Sequence, residues 1–362
     1  MSVLADKLRA QIQKTGALTI SEYMTTCLLD ETHGYYRTKS AIGAEGDFIT
    51  APEISQIFGE MIAALMSHIH ALYGFGDDII TFEAGGGHGT LAQDMHKAYR
   101  MISPSLAGAP LYLLEESEAM RGRQKAKLAP KDCHHIDRIS ALPPKPLFGV
   151  ANEFFDALGI DQAIYHQGQW HHRLIGLADD EFTYVIGKPL DTDALSDIQT
   201  PTTPQEGDII EISKLSAQIM AESAYHIAHF GGALLVIDYG KDDNQGDSLQ
   251  AVKDHQPSDF LAYQGEADIT HWVDFAMLRK VAEAHHARLL GPVPQGRFLL
   301  ELGIAERAEA LRSPDNPEQD RALLAAIDRL VSPAQMGQAF KVALLVPQGE
   351  GYPPGFASLE QR

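Results

Sequence analysis

The sequence predicts an α/β protein with a doubly wound, seven-stranded, Rossmann-like sheet covered by helices. Three observations predict this fold. From residue 79 onward, short apolar runs alternate with segments of helical periodicity, which is the pattern of strand–helix units. Several of these runs are apolar without interruption, as in parallel strands that are covered on both faces. The first run ends in a glycine-rich turn that leads directly into a helical segment.

The predicted elements follow one another along the chain. Strands are predicted at Ile79–Glu83, Leu111–Glu115, His134–Ile136, Leu147–Asn152, Ala233–Asp238, Arg288–Gly291 and Phe340–Val346, and helices at 54–70, 90–102, 117–128, 213–229 and 273–286. Residues 1–75 are predicted as an N-terminal helical cap with an active-site loop, 76–350 as the sheet domain and 351–362 as a C-terminal tail. Two insertions interrupt the sheet domain: a hairpin at about 161–187 and a long loop or lid at about 240–272.

The charge balance argues against one class of partner. The chain has 362 residues and a net charge of −20; such a field repels nucleic-acid backbones and suits a basic protein segment. Taken alone, the acid excess is explained by solubility. No apolar run has the length of a membrane span. The cysteines, Cys27 and Cys133, form no metal or redox motif, and the N-terminus has the pattern of an amphipathic helix, not of a transit peptide. We therefore expect a cytoplasmic protein with reduced thiols and no membrane contact.

The turn after the first strand carries a binding signal. Glu83 is followed by glycines at every second position, Gly85, Gly87 and Gly89. Glycines permit positive φ and allow a ligand to approach the main chain closely, and the acid can hold a cationic or hydroxyl group of that ligand. The spacing differs from the G-x-G-x-x-G of dinucleotide sites and fits the loop of S-adenosylmethionine (SAM) methyltransferases. The alternative is an ordinary glycine turn.

Acidic residues also follow later strands. Ligands of a doubly wound sheet bind outside the carboxyl ends of its strands, where the sequence has Glu115 and Ser117 after the second strand. A carboxylate there can accept both hydroxyls of a ribose. Asn152, Glu153 and Asp156 follow the fourth strand, and carboxylates can bind a guanidinium through charge-assisted hydrogen bonds. The alternative is that these acids only stabilise the first turns of helices.

The histidines do not predict a metal site. Several occur as adjacent pairs, such as His134 with His135, whose side chains diverge on strands and helices alike. None of the pairs has the spacing of metal ligands.

Many short stretches together resemble one family, the MidA-like SAM-dependent methyltransferases, which includes the mitochondrial complex I assembly factor that methylates protein arginine. They span residues 20–346, and their combination is specific. They are His33–Tyr36, Gly46–Glu53, the glycine loop, Asn152–Leu158, Ile237–Gly240, Gly265–Thr270, Val273–Phe275, and parts of Gln295–Leu299 and Met336–Val342. The chain departs from the family at Gly86 and His88, where the family usually has Pro and Arg.

The resemblance implies a methyltransferase that binds SAM over Gly85 and Gly87, with its ribose at Glu115. Thr50 and Pro52, in the loop before the first long helix, are assigned to the same cofactor site. It also implies methyl transfer to an arginine nitrogen of a partner protein, a respiratory complex subunit being one candidate. The polar residues after the fourth strand are expected beside that nitrogen.

Two other classes of function stay open at this point. One is an assembly or interaction factor whose SAM site is regulatory or vestigial. The other is a nicotinamide-dependent dehydrogenase, against which the glycine spacing speaks. Nothing in the sequence fixes the oligomeric state, and a homodimer stays open.

Overall fold

The chain divides into two units that are each discontinuous in sequence. The computed structural model describes residues 2–38, 50–191, 198–313, 315–349 and 351–360. The first unit comprises Met1–Phe48, Asp156–Gln218 and Lys241–Met277, and the second comprises Ile49–Phe155, Ile219–Gly240 and Leu278–Arg362. Both predicted insertions, 161–187 and 240–272, fall almost entirely within the first unit.

The regular elements are numbered in chain order. The helices are α1 (Val3–Thr15), α2 (Ile20–Leu29), α3 (Tyr35–Thr38), α4 (Ala51–Ile54), α5 (Gln56–Tyr73), α6 (Thr90–Ile102), α7 (Pro104–Gly108), α8 (Glu118–Leu128), α9 (Lys214–Phe230), α10 (Phe275–Ala284), α11 (Gln295–Glu301), α12 (Ile304–Ala310), α13 (Pro317–Val331) and α14 (Met336–Ala339). The strands are β1 (Leu18–Thr19), β2 (Ile80–Ala84), β3 (Leu111–Leu114), β4 (Cys133–Ile136), β5 (Leu147–Asn152), β6 (Asp161–His166), β7 (Gln169–Ala178), β8 (Glu181–Pro189), β9 (Ile209–Ile212), β10 (Gly232–Lys241), β11 (Gln250–Lys253), β12 (Gln256–Ser258), β13 (Asp268–Thr270), β14 (Val273–Asp274), β15 (Ala287–Pro294) and β16 (Phe340–Pro347).

The second unit is built on a mostly parallel sheet in the order β15-β16-β10-β5-β2-β3-β4. The pairs from β10 to β4 are parallel, and β16 runs antiparallel to both β10 and β15. Every residue of β2 and β5 is buried, which explains why most residues of these runs are apolar. The predicted α/β fold is confirmed, and the carboxyl ends of β2, β3, β5 and β10 meet at one edge.

The helices between β15 and β16 were missed by the sequence analysis. They are α11 to α14. Helix α13 has 15 residues, enough for a 3.6-residue period, and was not predicted. The other three have only seven, seven and four residues, which give too few turns for that period to be recognised. Their packing depends on close backbone contact: a Cβ on Gly296 would lie 2.1 Å from the Val331 carbonyl oxygen, and one on Gly337 would lie 2.0 Å from it.

The first unit is built on antiparallel sheets. One has the order β1-β7-β6-β9, with β8 also paired to β7, and β12-β11-β13 form another. Its core includes Leu8, Tyr23, Met24 and Phe182. The predicted hairpin at 161–187 is therefore three strands of a larger sheet, since β1 and β9 are contributed from distant segments that local alternation does not reveal.

The segment predicted as an irregular loop, 240–272, contains β11, β12 and β13. These strands have three or four residues each, too few for the two-residue period to stand out. Among the described helices, none combines the length and the apolar character needed to cross a membrane.

Candidate active site

The glycine loop connects β2 to α6 in the second unit. Gly85, Gly87 and Gly89 have φ of 63°, 48° and 82°, the left-handed region that side chains with a Cβ rarely adopt. A Cβ on Gly85 would lie 2.7 Å from Cδ2 of Phe154, so the loop packs directly against the turn that follows β5. The alternating glycines are therefore required by backbone conformation and by close packing.

Glu83 lies at the end of β2 beneath this loop. Its side chain is 4% exposed, and its Oε2 atom makes no hydrogen bond within the part of the chain that the structure describes. Burial raises the pKa of Glu83 to about 8, with a further upward contribution from the charge of Glu115. A buried acceptor without a partner is costly, so this carboxyl group is prepared to interact with a cationic or hydrogen-donating ligand.

Glu115 follows β3 and is held by two donors. The backbone N–H of Ser117 donates to its Oε1 at 2.9 Å, and the Nε2 of Gln124 donates to its Oε2 at 3.1 Å. Ser117 is the N-cap of α8, where its hydroxyl accepts from the N–H of Met120. Both carboxylate oxygens keep free lone pairs, so Glu115 can still accept ligand hydroxyls.

The turn after β5 places a carboxylate on strained backbone. Glu153 has φ of 51° although it is not glycine, a conformation that costs about 1–3 kcal/mol. Its Oε1 accepts from the N–H of Ala51 at 3.2 Å and from Nδ2 of Asn152 at 3.1 Å. Burial raises the pKa of Glu153 to about 7, against these two hydrogen bonds and the charge of Arg329, which lower it.

The α4 helix carries Thr50 and Pro52 beside this carboxylate. Thr50 is the N-cap, Pro52 lies in the first turn, and the Ala51 N–H between them is the donor to Glu153. These residues are thus adjacent to the turn after β5. Glu53 in the same helix accepts a hydrogen bond from the Thr90 hydroxyl at the start of α6. The rest of the predicted loop, 39–49, lies outside the described residues.

Asp156 belongs to the first unit. It is 4% exposed, and its carbonyl oxygen accepts from the N–H of His271 at 3.1 Å. Tyr36 donates to Oδ1 of Asp268 at 3.1 Å, and burial together with the charges of Asp268 and Asp156 raises the pKa of Tyr36. Two carboxylates and a phenol therefore form one buried polar cluster in this unit.

Sequence reasoning missed Gln124, Glu53 and Arg329. Gln124 is fully buried on α8, and Arg329 lies near the end of α13, 176 positions after Glu153 in the chain. A buried glutamine on a helix face is the one signal that was available, because polar residues on such faces need partners. Within the described residues, no group of three or more His, Cys, Asp or Glu side chains is arranged to hold a metal ion.

These residues fit a SAM ligand. SAM carries an ammonium, a sulfonium and a ribose diol. The second unit offers the Glu83 oxygen that has no partner among the described residues, the acceptors of Glu115, and glycine backbone that allows close approach. The fold and the loop thus define a class, the α/β methyltransferases that use SAM.

Comparisons with known proteins identify the family. A family model described as "Putative S-adenosyl-L-methionine-dependent methyltransferase" matches residues 60–293, and the chain belongs to this family. A Drosophila melanogaster homologue of the mitochondrial protein arginine methyltransferase NDUFAF7 is 31% identical over 95% of this chain and 85% of its own length. The mitochondrial protein arginine methyltransferase NDUFAF7 of Homo sapiens is 31% identical, covering 94% of this chain and 82% of its own.

A solved structure agrees with this membership. A Burkholderia thailandensis protein, crystallised with S-adenosyl-homocysteine bound, superposes with a TM-score of 0.84 at 26% identity and covers 98% of this chain and 94% of its own. The predicted family, enzyme class and SAM cofactor are confirmed.

The predicted cytoplasmic location is wrong. The relatives named above are mitochondrial proteins. The prediction rested on the lack of a recognisable transit peptide, and the absence of such a pattern in the printed chain does not determine a compartment.

Proposed function

We propose that this chain transfers the methyl group of SAM to an arginine nitrogen of a partner protein. The observation that carries the proposal is the Glu153 carboxylate, which two donors hold at the carboxyl end of β5. Strand β5 pairs with β2, so this carboxylate follows the strand next to the one that ends in the glycine loop. The names of the relatives, protein arginine methyltransferases, support arginine as the acceptor.

The cofactor half of the proposal assigns one task to each residue. The backbone around Gly85, Gly87 and Gly89 holds the nucleoside, because a close main-chain approach needs residues without Cβ atoms. Glu115, supported by the N–H of Ser117, accepts the ribose hydroxyls. Glu83, whose Oε2 makes no hydrogen bond to the described part of the chain, holds the cationic portion of SAM. Thr50 and Pro52, at the start of α4, belong to the same cofactor site.

The acceptor half rests on proton control. SAM supplies a methyl group that its positive sulfonium already activates, so the protein must orient the guanidinium and accept the proton that the methylated nitrogen loses. A carboxyl group with a pKa of about 7 binds N–H groups when ionised and can then take that proton. The Asn152 side-chain oxygen, which has no partner within the described residues, offers a second acceptor. Asp156 is the second proposed carboxylate.

The test is to incubate the purified protein with isotope-labelled SAM and candidate acceptors. A respiratory complex subunit comes first because of the family resemblance, and a matched acceptor in which each accessible arginine is replaced by lysine is the control. Mass spectrometry should locate the label on arginine nitrogen. Label on another residue type would refute the arginine assignment. Stable binding of the acceptor without any methyl transfer would favour the alternative function, an assembly or interaction factor.

A further inference from the structure

A single buried side chain, Gln124, joins the two parts of the proposed cofactor site. Its Nε2 donates to the carbonyl oxygen of Gly87 at 2.9 Å and to Oε2 of Glu115 at 3.1 Å. Gly87 follows β2 and Glu115 follows β3, which are neighbouring parallel strands. One amide group therefore ties the glycine loop to the carboxylate at the end of the next strand.

A third partner fixes the orientation of this amide. The Oε1 of Gln124 lies 2.8 Å from Nε2 of His135 on β4. Because the amide nitrogen already faces two acceptors, its oxygen must be the acceptor for His135, and His135 must carry its proton on Nε2. Burial, followed by the charges of Lys125 and Arg121, lowers the pKa of His135, so the neutral ring with a proton on Nε2 satisfies the whole network.

Gln124 packs against the glycine loop. The side chain is fully buried, and a Cβ on Gly89 would lie 3.6 Å from its Cα and Cγ atoms. A separate hydrogen bond joins α6 to α8: Nε2 of Gln93 donates to the carbonyl oxygen of Lys127 at 2.8 Å. Gln93 therefore offers a control glutamine that also bonds to a backbone carbonyl but lies outside the network of Gln124.

We propose that Gln124 is a positioning residue for SAM. It holds the Glu115 carboxylate in a fixed position relative to the Gly87 backbone, so that SAM can contact the carboxylate with its ribose and the glycine loop at the same time. This inference rests on the proposed roles of Glu115 and the glycine loop. It assigns to Gln124 no contact with the ligand. The effect of removing Gln124 must then depend on the presence of Glu115, since a residue that acts through another loses its effect when that other is absent.

A double-mutant cycle tests this dependence by calorimetric measurement of SAM and S-adenosyl-homocysteine affinity. Gln124→Leu should weaken both ligands about tenfold in the wild-type background, but only about threefold beside Glu115→Ala, because only the bond to Gly87 remains to be lost. Gln93→Leu should lower the melting temperature and change the affinity by the same small factor in both backgrounds. Equal factors for Gln124→Leu in the two backgrounds would overturn the proposal.

Two further readouts keep the test decisive. If Gln124→Leu does not fold, His135→Leu replaces it in the same cycle. This variant leaves Gln124 in place but removes the donor that orients its amide. Equal losses of ligand affinity in the two backgrounds would again overturn the proposal. In the wild-type protein, ¹⁵N chemical shifts should show the proton of His135 on Nε2, and a proton only on Nδ1 would contradict the network. An unchanged affinity in Glu115→Ala alone would refute the ribose assignment, which separates failure of the cofactor site from failure of the role of Gln124.

Discussion

The turns after β2 and β5 lie side by side at one edge of the sheet, and they differ in the residue type that adopts positive φ. After β2, positive φ falls on Gly85, Gly87 and Gly89, so the turn offers main chain without side chains. After β5, positive φ falls on Glu153, which holds a carboxylate in a strained position. Main-chain binding needs residues without side chains, whereas proton chemistry needs a side chain even where the backbone disfavours one.

The carboxyl groups of the two turns also differ in their support. Oε2 of Glu83 makes no hydrogen bond within the described residues, while Glu153 accepts two hydrogen bonds and lies near the charge of Arg329. Burial raises both pKa values, to about 8 for Glu83 and about 7 for Glu153. In both groups, hydrogen bonds favour the charged form and oppose the upward effect of burial.

The largest expected effect concerns the glycines of the first turn. Gly87→Val should weaken SAM binding by at least about 1000-fold, because a branched side chain fills the ligand's position and opposes a φ of 48°. Gly74→Val is the matched control, since Gly74 has φ of 64° at an exposed helix end with no atom near a new Cβ. Calorimetry with S-adenosyl-homocysteine measures both variants, and equal affinities would break the assignment of this loop to the cofactor.

The buried acid beneath the first turn, Glu83, should make stability depend on pH. Between the usual pKa of 4.5 and the folded value of about 8, the folded protein keeps a proton on Glu83 that the unfolded chain has lost. Stability of the ligand-free protein must therefore fall as pH rises through this window, by up to about 4 kcal/mol. Urea unfolding at pH 5 and pH 8.5 should show a smaller fall for Glu83→Gln than for the wild type or the surface control Glu283→Gln. An identical fall in all three would contradict the buried, protonated state.

The acid of the second turn should matter for turnover and not for cofactor affinity. Glu153→Gln should lower the rate of methyl transfer about 100-fold, the usual scale for loss of a positioned proton acceptor, while the SAM dissociation constant stays within about threefold. Single-turnover kinetics with a methylated-arginine readout measure the rate. If the variant is as fast as the wild type, Glu153 has a structural role and does not take part in proton transfer.

The ribose assignment predicts a smaller change. Glu115→Ala should weaken SAM binding by about 1–3 kcal/mol through lost charged hydrogen bonds. Glu118→Ala, at an exposed site in the first turn of α8, should leave the affinity unchanged. A wild-type dissociation constant for Glu115→Ala would remove this residue from the site.

The smallest expected effect isolates the strain at Glu153. Glu153→Gly and Glu153→Ala both lack the carboxylate, so they differ mainly in their tolerance of a φ of 51°. The glycine variant should be more stable than the alanine variant by about 1 kcal/mol in urea unfolding. Equal stabilities would mean that the backbone relaxes freely once the side chain is gone, and that the turn after β5 holds no strain of its own.

The sequence by itself determined the features that short-range physics encodes. The run predicted as a strand at 147–152 is β5, and the helix predicted at 90–102 is α6, because uninterrupted burial and helical periodicity leave a pattern within a few residues. The glycine spacing after Glu83 likewise indicated positive φ at these positions, which is a local property of the backbone. The short helices α11, α12 and α14 and the strands β11 to β13 left no such pattern, and the longer α13 was not predicted.

Only the tertiary structure decided which distant groups meet. The N–H of Ala51 reaches the carboxylate of Glu153 across 102 positions of the chain, and Gln124 reaches Gly87 across 37. Strand β1 pairs with β7 although neither segment predicts the other. Local periodicity records which face of an element is buried, whereas the partner of a buried polar group is fixed only when separate elements pack and each donor must find an acceptor.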